Sequence, residues 1–316
     1  MKKILIITGD PNSINSEIII KVWKKMKKSI RRKTYFISNY NLLKDQFQKL
    51  NFFEKITKKN NLKENDLTLK VLNIDLNYND PFNVPFNNSS KYILKSLEMA
   101  HKLALSSDVA GIINCPIDKK HLNKKNYGVT EFLASKCKIK DKSEVMLIGN
   151  KVLYVCPVTT HIDVKNISKK INSDLIIKKS LKIDNWFKKK YKKRPKIAIL
   201  GLNPHNAEFK KNSEEERIIK PAIKKLKKFK LKVDGPLVAD TVFIDRYKNY
   251  NVIIGMYHDQ VLAPFKSIFK FNAINITIGL KYSRVSPDHG VAINLIKKNK
   301  ANEESLMKCI DYTNNL

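Results

Sequence analysis

The chain has 316 residues, long enough for one large or two moderate cores, and 42% of them are apolar, so disorder is not its default state. No apolar run reaches the roughly eighteen residues that a membrane-spanning helix needs, and the formal net charge is +33. The apolar run near Met1 stops at Gly9-Asp10-Pro11, too soon for a signal peptide, so a cytoplasmic location is expected.

In chain order, a buried strand is predicted over residues 3–7 and a helix over 15–28. Residues 39–70 are polar and weakly periodic and read as a surface excursion that can include a short helix. A helix over 90–105 leads to a strand over 109–114, and strands over 145–149 and 152–157 follow. Beyond them come a helix at 173–190, a strand at 196–202, a helix at 213–228 and a strand at 252–256. A helix at 258–269, a strand at 273–278 and a helix at 288–298 complete the pattern. Continuous apolar strands alternating with helices indicate an α/β fold with a mostly parallel sheet covered on both faces.

The charge has a plain reading. A nucleic-acid binder gathers its basic residues on one face beside aromatic rings, whereas lysines recur here along almost every segment. No specific nucleic-acid partner is therefore expected. The positive field should still collect a small anionic substrate. Four scattered cysteines, Cys115, Cys137, Cys156 and Cys309, form no CxxC pair, so neither a zinc ribbon nor a disulfide framework is predicted.

Three histidines follow predicted strands: His161 after 152–157, His205 after 196–202 and His258 after 252–256. Parallel strands place their carboxyl ends on one edge, where α/β folds bind ligands. Three imidazoles there suit a catalytic divalent ion; the plain alternative is three separate hydrogen-bonded surface residues. Asp240 and Asp259 read either as partners of such a site or as ordinary capping and turn carboxylates. Lys266, Asn275, Arg284, Asp288 and His289 form a second group suited to a phosphate or carboxylate, although Lys266 also reads as a solvated surface lysine. There is no GxGxxG, no P-loop lysine and no GxSxG, so a nicotinamide cofactor would be held without the usual Rossmann fingerprint.

Taken in order, the motifs resemble one family. They are Ile7-Thr8-Gly9-Asp10-Pro11, Asn114-Cys115-Pro116-Ile117-Asp118-Lys119, Thr130-Glu131-Phe132-Leu133-Ala134, Thr159-Thr160-His161 and Gly201-Leu202-Asn203-Pro204-His205. Further on come Gly235-Pro236-Leu237 with Ala239-Asp240-Thr241, Met256-Tyr257-His258-Asp259-Gln260, Asn275-Ile276-Thr277 with Gly279-Leu280, Arg284, and Asp288-His289-Gly290. This ordered set is similar to the 4-hydroxythreonine-4-phosphate dehydrogenase family of vitamin B6 biosynthesis and runs through nearly the whole chain.

The resemblance implies a three-layer α/β/α, two-lobed fold like isocitrate and isopropylmalate dehydrogenases, with an active site in the cleft completed across a homodimer. It implies a first lobe of residues 1–128 plus 277–316 and a second of 129–276 carrying the metal-ligand histidines. It assigns His161, His205 and His258 to a divalent metal (Zn, Mg or Co), shared by both subunits. Thr130, Lys266, Asn275 and Arg284 correspond to substrate contacts, and Asp288 and His289 to cofactor binding. The implied reaction is NAD- or NADP-dependent oxidation of the C3 hydroxyl of 4-phosphooxy-L-threonine, a small phosphorylated hydroxy-amino acid, followed by loss of CO₂. Asp240 and Lys266 are the candidate catalytic bases.

Three places depart from the family pattern. Val129 stands where the family usually has histidine, Ser13 and Asn15 where it tends to have glycines, and Asn294-Leu295-Ile296-Lys297-Lys298 where it has an Ala-Gly stretch. One alternative these leave open is oxidation of 4-phospho-threonate or 4-phospho-erythronate; another is a non-catalytic metal- or polyanion-binding relative.

Overall fold

The computed structural model describes residues 1–122, 128–139, 144–270 and 272–316. Two compact units emerge, Met1–Lys138 with Leu280–Leu316, and Ile139–Gly279.

The first unit opens with β1 (Lys3–Ile7), whose five residues are all buried, followed by α1 (Asn15–Lys25) and α2 (Lys28–Lys33). Then come β2 (Thr34–Ser38), α3 (Tyr40–Lys49), β3 (Ile56–Lys59) and β4 (Leu69–Asn73). The stretch expected to be a surface excursion thus holds a helix and strand β3, and runs into β4, which pairs in parallel with both β2 and β3. The reason is Lys70. It sits in β4 with no exposed surface, and its ammonium donates to the carbonyls of Arg31 at 2.9 Å and Asp66 at 2.8 Å, over the Tyr35 ring at 5.3 Å. A buried lysine reads as a polar break in the hydrophobic pattern, which concealed the strand.

Helix α4 (Phe86–Ala104) starts directly after Pro85 and leads into β5 (Val109–Asn114); α5 (Val129–Lys136) ends this part of the unit. Tyr92, Ile93, Leu97 and Ala100 on the buried stripe of α4 pack with Leu5, Ile7, Tyr35 and Ile112 of the sheet.

The second unit carries β6 (Val145–Gly149), β7 (Tyr154–Pro157), α6 (Ile167–Lys170), α7 (Ser173–Tyr191) and β8 (Lys196–Leu200). Next are α8 (Lys220–Lys228), β9 (Lys232–Leu237), α9 (Ala239–Val242), β10 (Val252–Gly255), α10 (His258–Phe269) and β11 (Ile274–Ile278). Its strand order is β11-β6-β7-β10-β8-β9. Strands β7, β10, β8 and β9 are parallel, and β6 runs antiparallel to both β7 and β11. Val155, Ala198, Leu200 and Ile253 pack beneath Val261, Leu262 and Phe265 of α10.

The chain then returns to the first unit with β12 (Arg284–Pro287), parallel to β5, and α11 (Glu304–Asn314), so the order there is β3-β4-β2-β1-β5-β12. The helix predicted over 288–298 does not form; only a short 3₁₀ turn, Ile293–Leu295, lies within it. Ala292 takes a left-handed backbone there, and the Asp288 N–H is held by the Ser305 hydroxyl at 3.0 Å instead of serving a helix. Among the described residues no helix is long and apolar enough to cross a membrane.

Candidate active site

The site is built from strand ends. Because β7, β10 and β8 are parallel neighbours, their carboxyl ends open onto one edge of the second unit. His161, His258 and His205 leave from that edge. Beyond the strands the Val158 N–H donates to the Gly255 carbonyl at 2.8 Å, and the Thr159 N–H to the Met256 carbonyl at 3.1 Å. The Thr159 hydroxyl donates to the same Met256 oxygen at 2.7 Å. These bonds fix the chain two residues before His161 and two before His258. The two imidazoles lie with ring centroids 6.1 Å apart. His258 opens α10, and its Nδ1 lies 2.7 Å from Asp259 Oδ1, so Nε2 is its remaining ring nitrogen.

His205 sits in a turn, Pro204–Phe209, whose backbone is left-handed from His205 to Phe209 (φ 47° to 57°) with no glycine among the five. L-residues strain in that region, so something must hold the turn. Glu215, fully buried, supplies one anchor: its Oε1 accepts the N–H groups of Leu202 and Asn203, each at 2.8 Å, and its Oε2 accepts Asn203 Nδ2 at 3.1 Å. Burial by itself would raise this carboxyl's pKa, yet the accepted hydrogen bonds prevail and hold it below the usual range, keeping the anion. Asn206 Nδ2 donates to the Pro236 carbonyl at 3.1 Å. Gln260 ties β8 to β10: Nε2 donates to the Gly201 carbonyl and Oε1 accepts the Met256 N–H, both at 2.7 Å. A Cβ on Gly255 would lie 2.5 Å from Val261 Cγ1 and 2.9 Å from Gln260 Oε1, so glycine is required where Gln260 folds back.

Among the described residues of one chain, no three His, Cys, Asp or Glu come close enough together to hold a metal. His161 and His258 approach one another, while His205 shares their edge without joining them in a three-ligand cluster. Asp240 in α9 and Lys266 in α10 are exposed. Asn275 in β11 is half-buried, and its buried Oδ1 has no hydrogen-bond partner among the described residues.

The remaining predicted residues belong to the first unit. Arg284, the first residue of β12, is buried; its Nε donates to Asn114 Oδ1 at 2.6 Å and its Nη1 to Thr130 Oγ1 at 3.2 Å. Thr130 and Arg284 are therefore brought together. Burial lowers the guanidinium's pKa to about 10, which leaves it cationic at neutral pH. Val129, next to Thr130 at the start of α5, packs against the apolar core of this unit. His289 lies with Nδ1 3.0 Å from the Gly290 carbonyl.

Ser13 and Asn15 have found work at the positions where glycines were expected. Asn15 Nδ2 donates to the Pro116 carbonyl at 2.8 Å, and the Ser13 hydroxyl donates to the Asp10 carbonyl at 2.5 Å. Gly9, at φ 78°, fits beneath them, since a Cβ there would lie 2.5 Å from the Pro116 oxygen. Asp10 accepts the Asp118 N–H and faces His121 Nε2, both at 3.2 Å, fastening the loop after β1 to the loop after β5.

Sequence reasoning passed over Asn114, Glu215 and Gln260 as functional supports. Asn114 and Gln260 did lie inside the quoted motifs, which was the available signal. Glu215 stands among three consecutive glutamates, and nothing local distinguishes the buried one.

The sequence model of the family described as "Pyridoxal phosphate biosynthetic protein PdxA" matches residues 17–313. The chain belongs to this family. Among similar PdxA relatives, "4-hydroxythreonine-4-phosphate dehydrogenase" of Sulfurihydrogenibium sp. (strain YO3AOP1) is 35% identical, over 98% of this chain and 97% of its own. The protein of the same name from Aquifex aeolicus (strain VF5) is 36% identical, over 98% and 96%. The crystal structure of 4-hydroxythreonine-4-phosphate dehydrogenase from Klebsiella pneumoniae superposes with a TM-score of 0.83 at 28% identity, covering 99% of this chain and 98% of that one. Isocitrate dehydrogenase from Methylococcus capsulatus, at 11% identity and a TM-score of 0.51, shares the fold alone, over 99% of this chain and 85% of its own. The PdxA assignment and the α/β fold are thus those the ordered motifs led us to expect.

Proposed function

We propose that this PdxA-family chain is an NAD(P)- and divalent-metal-dependent dehydrogenase of 4-phosphooxy-L-threonine. It oxidises the C3 hydroxyl and releases CO₂ to give 3-amino-2-oxopropyl phosphate for pyridoxal 5'-phosphate synthesis. The activity named for its relatives supports this reading over nearly their full lengths. The observation that carries it is the shared carboxyl edge of β7, β10 and β8, with two imidazoles already 6.1 Å apart by ring centroid.

The donor set fits a divalent ion. Imidazole nitrogens are its commonest protein ligands, and His258, with Nδ1 beside Asp259, offers Nε2 in the manner of a carboxylate-oriented ligand. His161, His205 and His258 would hold Zn, Mg or Co, with a second copy of the chain contributing to the set in a homodimer. When bound, the ion supplies Lewis-acid stabilisation of oxygen anions and the nicotinamide supplies a hydride acceptor.

The chain's own residues do the rest. Arg284, pre-oriented by Asn114, presents a fixed cation to the phosphate or carboxylate of the substrate, and the Thr130 hydroxyl beside it orients the same group. The Asn275 amide, with an unsatisfied buried oxygen, accepts a substrate hydrogen bond. Asp240 or Lys266 takes the hydroxyl proton, and Asp288 and His289 serve the nicotinamide cofactor. The reaction runs in the cytoplasm.

A second reading, oxidation of 4-phospho-threonate or 4-phospho-erythronate, draws on Val129, an apolar side chain packed beside Thr130 where a donor to substrate was expected. Purified protein with each phosphorylated acid, NAD⁺ or NADP⁺ and Zn²⁺ or Mg²⁺ separates the two by the absorbance of reduced nicotinamide. Reduction with the phosphorylated amino acid supports the first reading, preference for the other acids the second, and reduction with none sinks both.

A further inference from the structure

Two lysine-rich segments meet in the folded second unit. Residues 188–196 and 220–232 hold fourteen Lys or Arg and no Asp or Glu. The two segments are separate in sequence, and the fold brings them together through the pairing of β8 with β9. Helices α7 and α8 each precede one of two paired parallel strands, β8 and β9, so their carboxyl ends lie together at the amino edge of those strands. Lys196 stands opposite Lys232 in that register, and the Arg194 guanidinium donates to the Lys230 carbonyl. Lys192, Lys193, Lys228 and Lys230 are exposed and have no carboxylate partner among the described residues. Helix carboxyl ends favour cations through their dipoles, but that effect is confined to the last turn and does not account for the run beyond it from Lys192 to Lys196 or from Lys230 to Lys232.

Two aromatic rings share this end. Tyr191 is 38% exposed and Phe229 47%. Tyr191 is also braced, its hydroxyl 2.6 Å from that of Tyr154 and its ring 4.8 Å from Phe187 and 5.8 Å from Trp186 by centroid. His205 follows the opposite, carboxyl end of β8, roughly 15 Å away along a five-residue strand, and His161 and His258 leave from the same carboxyl edge after β7 and β10. The patch therefore lies outside the candidate active site.

We propose that the amino edge of β8 and β9, with the carboxyl ends of α7 and α8, is a sequence-independent docking surface for single-stranded nucleic acid. Clustered lysines neutralise the phosphates and release counterions, and Tyr191 and Phe229 stack on unpaired bases. A duplex hides its base faces and gains only the charge contribution. An anionic membrane would gain from the charge alone.

Fluorescence anisotropy with a labelled single-stranded oligonucleotide of mixed sequence tests this. Wild type binds at low salt, with an affinity that falls steeply as salt rises. Changing Lys192, Lys193, Lys228 and Lys230 to Gln weakens binding by about tenfold or more, while Lys44, Lys55, Lys91 and Lys102 to Gln, removing equal charge from exposed positions of the first unit, weakens it by about twofold at most. Arg at the four patch positions retains binding. Tyr191→Ala with Phe229→Ala weakens the single strand more than a duplex of the same length. Circular dichroism melting confirms that each variant is folded. Equal weakening by the two quadruple sets overturns the proposal, as does binding to phosphatidylglycerol vesicles without binding to the oligonucleotide.

Discussion

Asn114 and Arg284 join the last residue of β5 to the first residue of β12 through a 2.6 Å hydrogen bond from Nε to Oδ1, in a buried setting. The bond satisfies one face of a cation that has lost its water, and it fixes the direction of the guanidinium.

Replacing Asn114 with Ala should therefore cost stability and substrate affinity together. A hydrogen bond to a buried charged group contributes about 1.5–3 kcal/mol, so the urea midpoint should fall accordingly. KM for the phosphorylated substrate should rise more than kcat falls, because the arginine loses orientation and keeps its charge. An unchanged urea midpoint and KM would show that Asn114 does not hold Arg284.

Glu215 acts on His205 from a distance. In Glu215→Gln, one oxygen becomes an NH₂ group, which in either orientation of the amide faces a donor, the backbone N–H groups of Leu202 and Asn203 or the Asn203 side-chain amide. The loop ahead of His205 should loosen, with zinc affinity of the apo protein reduced by about 10- to 100-fold, the usual scale for supports of a metal ligand. Titration calorimetry with Zn²⁺ measures this directly. Glu216→Gln, which removes a half-exposed partner of Lys220, is the control and should leave affinity unchanged.

Lys70 sets a pH dependence of known sign. Burial lowers its pKa to about 8 from a model-peptide value of 10.5. Between those values the unfolded chain holds a proton that the folded chain has released, so Lys70 makes stability rise with pH across that window. Below it both states are charged, and the folded protein bears the cost of a buried ammonium. Tyr35, pushed up to about 12 chiefly by burial, works in the opposite sense above its ordinary value of 10, so the Lys70 signal is cleanest between about pH 8 and 10. Urea unfolding of wild type and Lys70→Met at several pH values tests it: the variant should lose this rise, and parallel curves would rule it out.

If the three histidines are shared between two copies, metal retention should depend on dimerisation. Dilution below the dimer dissociation constant, followed by analytical ultracentrifugation with a zinc-sensitive dye, should show metal release in step with monomer formation. A monomer holding one tightly bound ion through all three histidines would count against the shared site.

The strands carrying the histidines were legible because parallel, doubly covered strands are simple apolar runs such as Val252–Gly255. Their common edge followed from that alone. What escaped were positions where a polar residue is buried with partners far away in sequence. Lys70 concealed β4 because its partners, Arg31 and Asp66, cannot be inferred from a hydrophobic pattern. Residues 288–298 mimic a helix in composition, yet a left-handed Ala292 and the Ser305 contact to Asp288 favour an irregular path. The support of His205 by Glu215 spans a turn with no helical or strand period to reveal it. Arg284 stood out since arginines are few in the chain, although its partner Asn114 is 170 residues away.

The left-handed turn at His205–Phe209 has a consequence for how the protein comes apart. Each L-residue held there costs about 1–2 kcal/mol, so the turn relaxes as soon as its anchors let go. It should be the segment that opens before the rest of its unit, freeing the backbone beside the already exposed Lys210 and Lys211 to enter the trypsin active site. A ligand gripping His205 would close that door, and slower nicking on zinc addition would make local opening a direct gauge of occupancy.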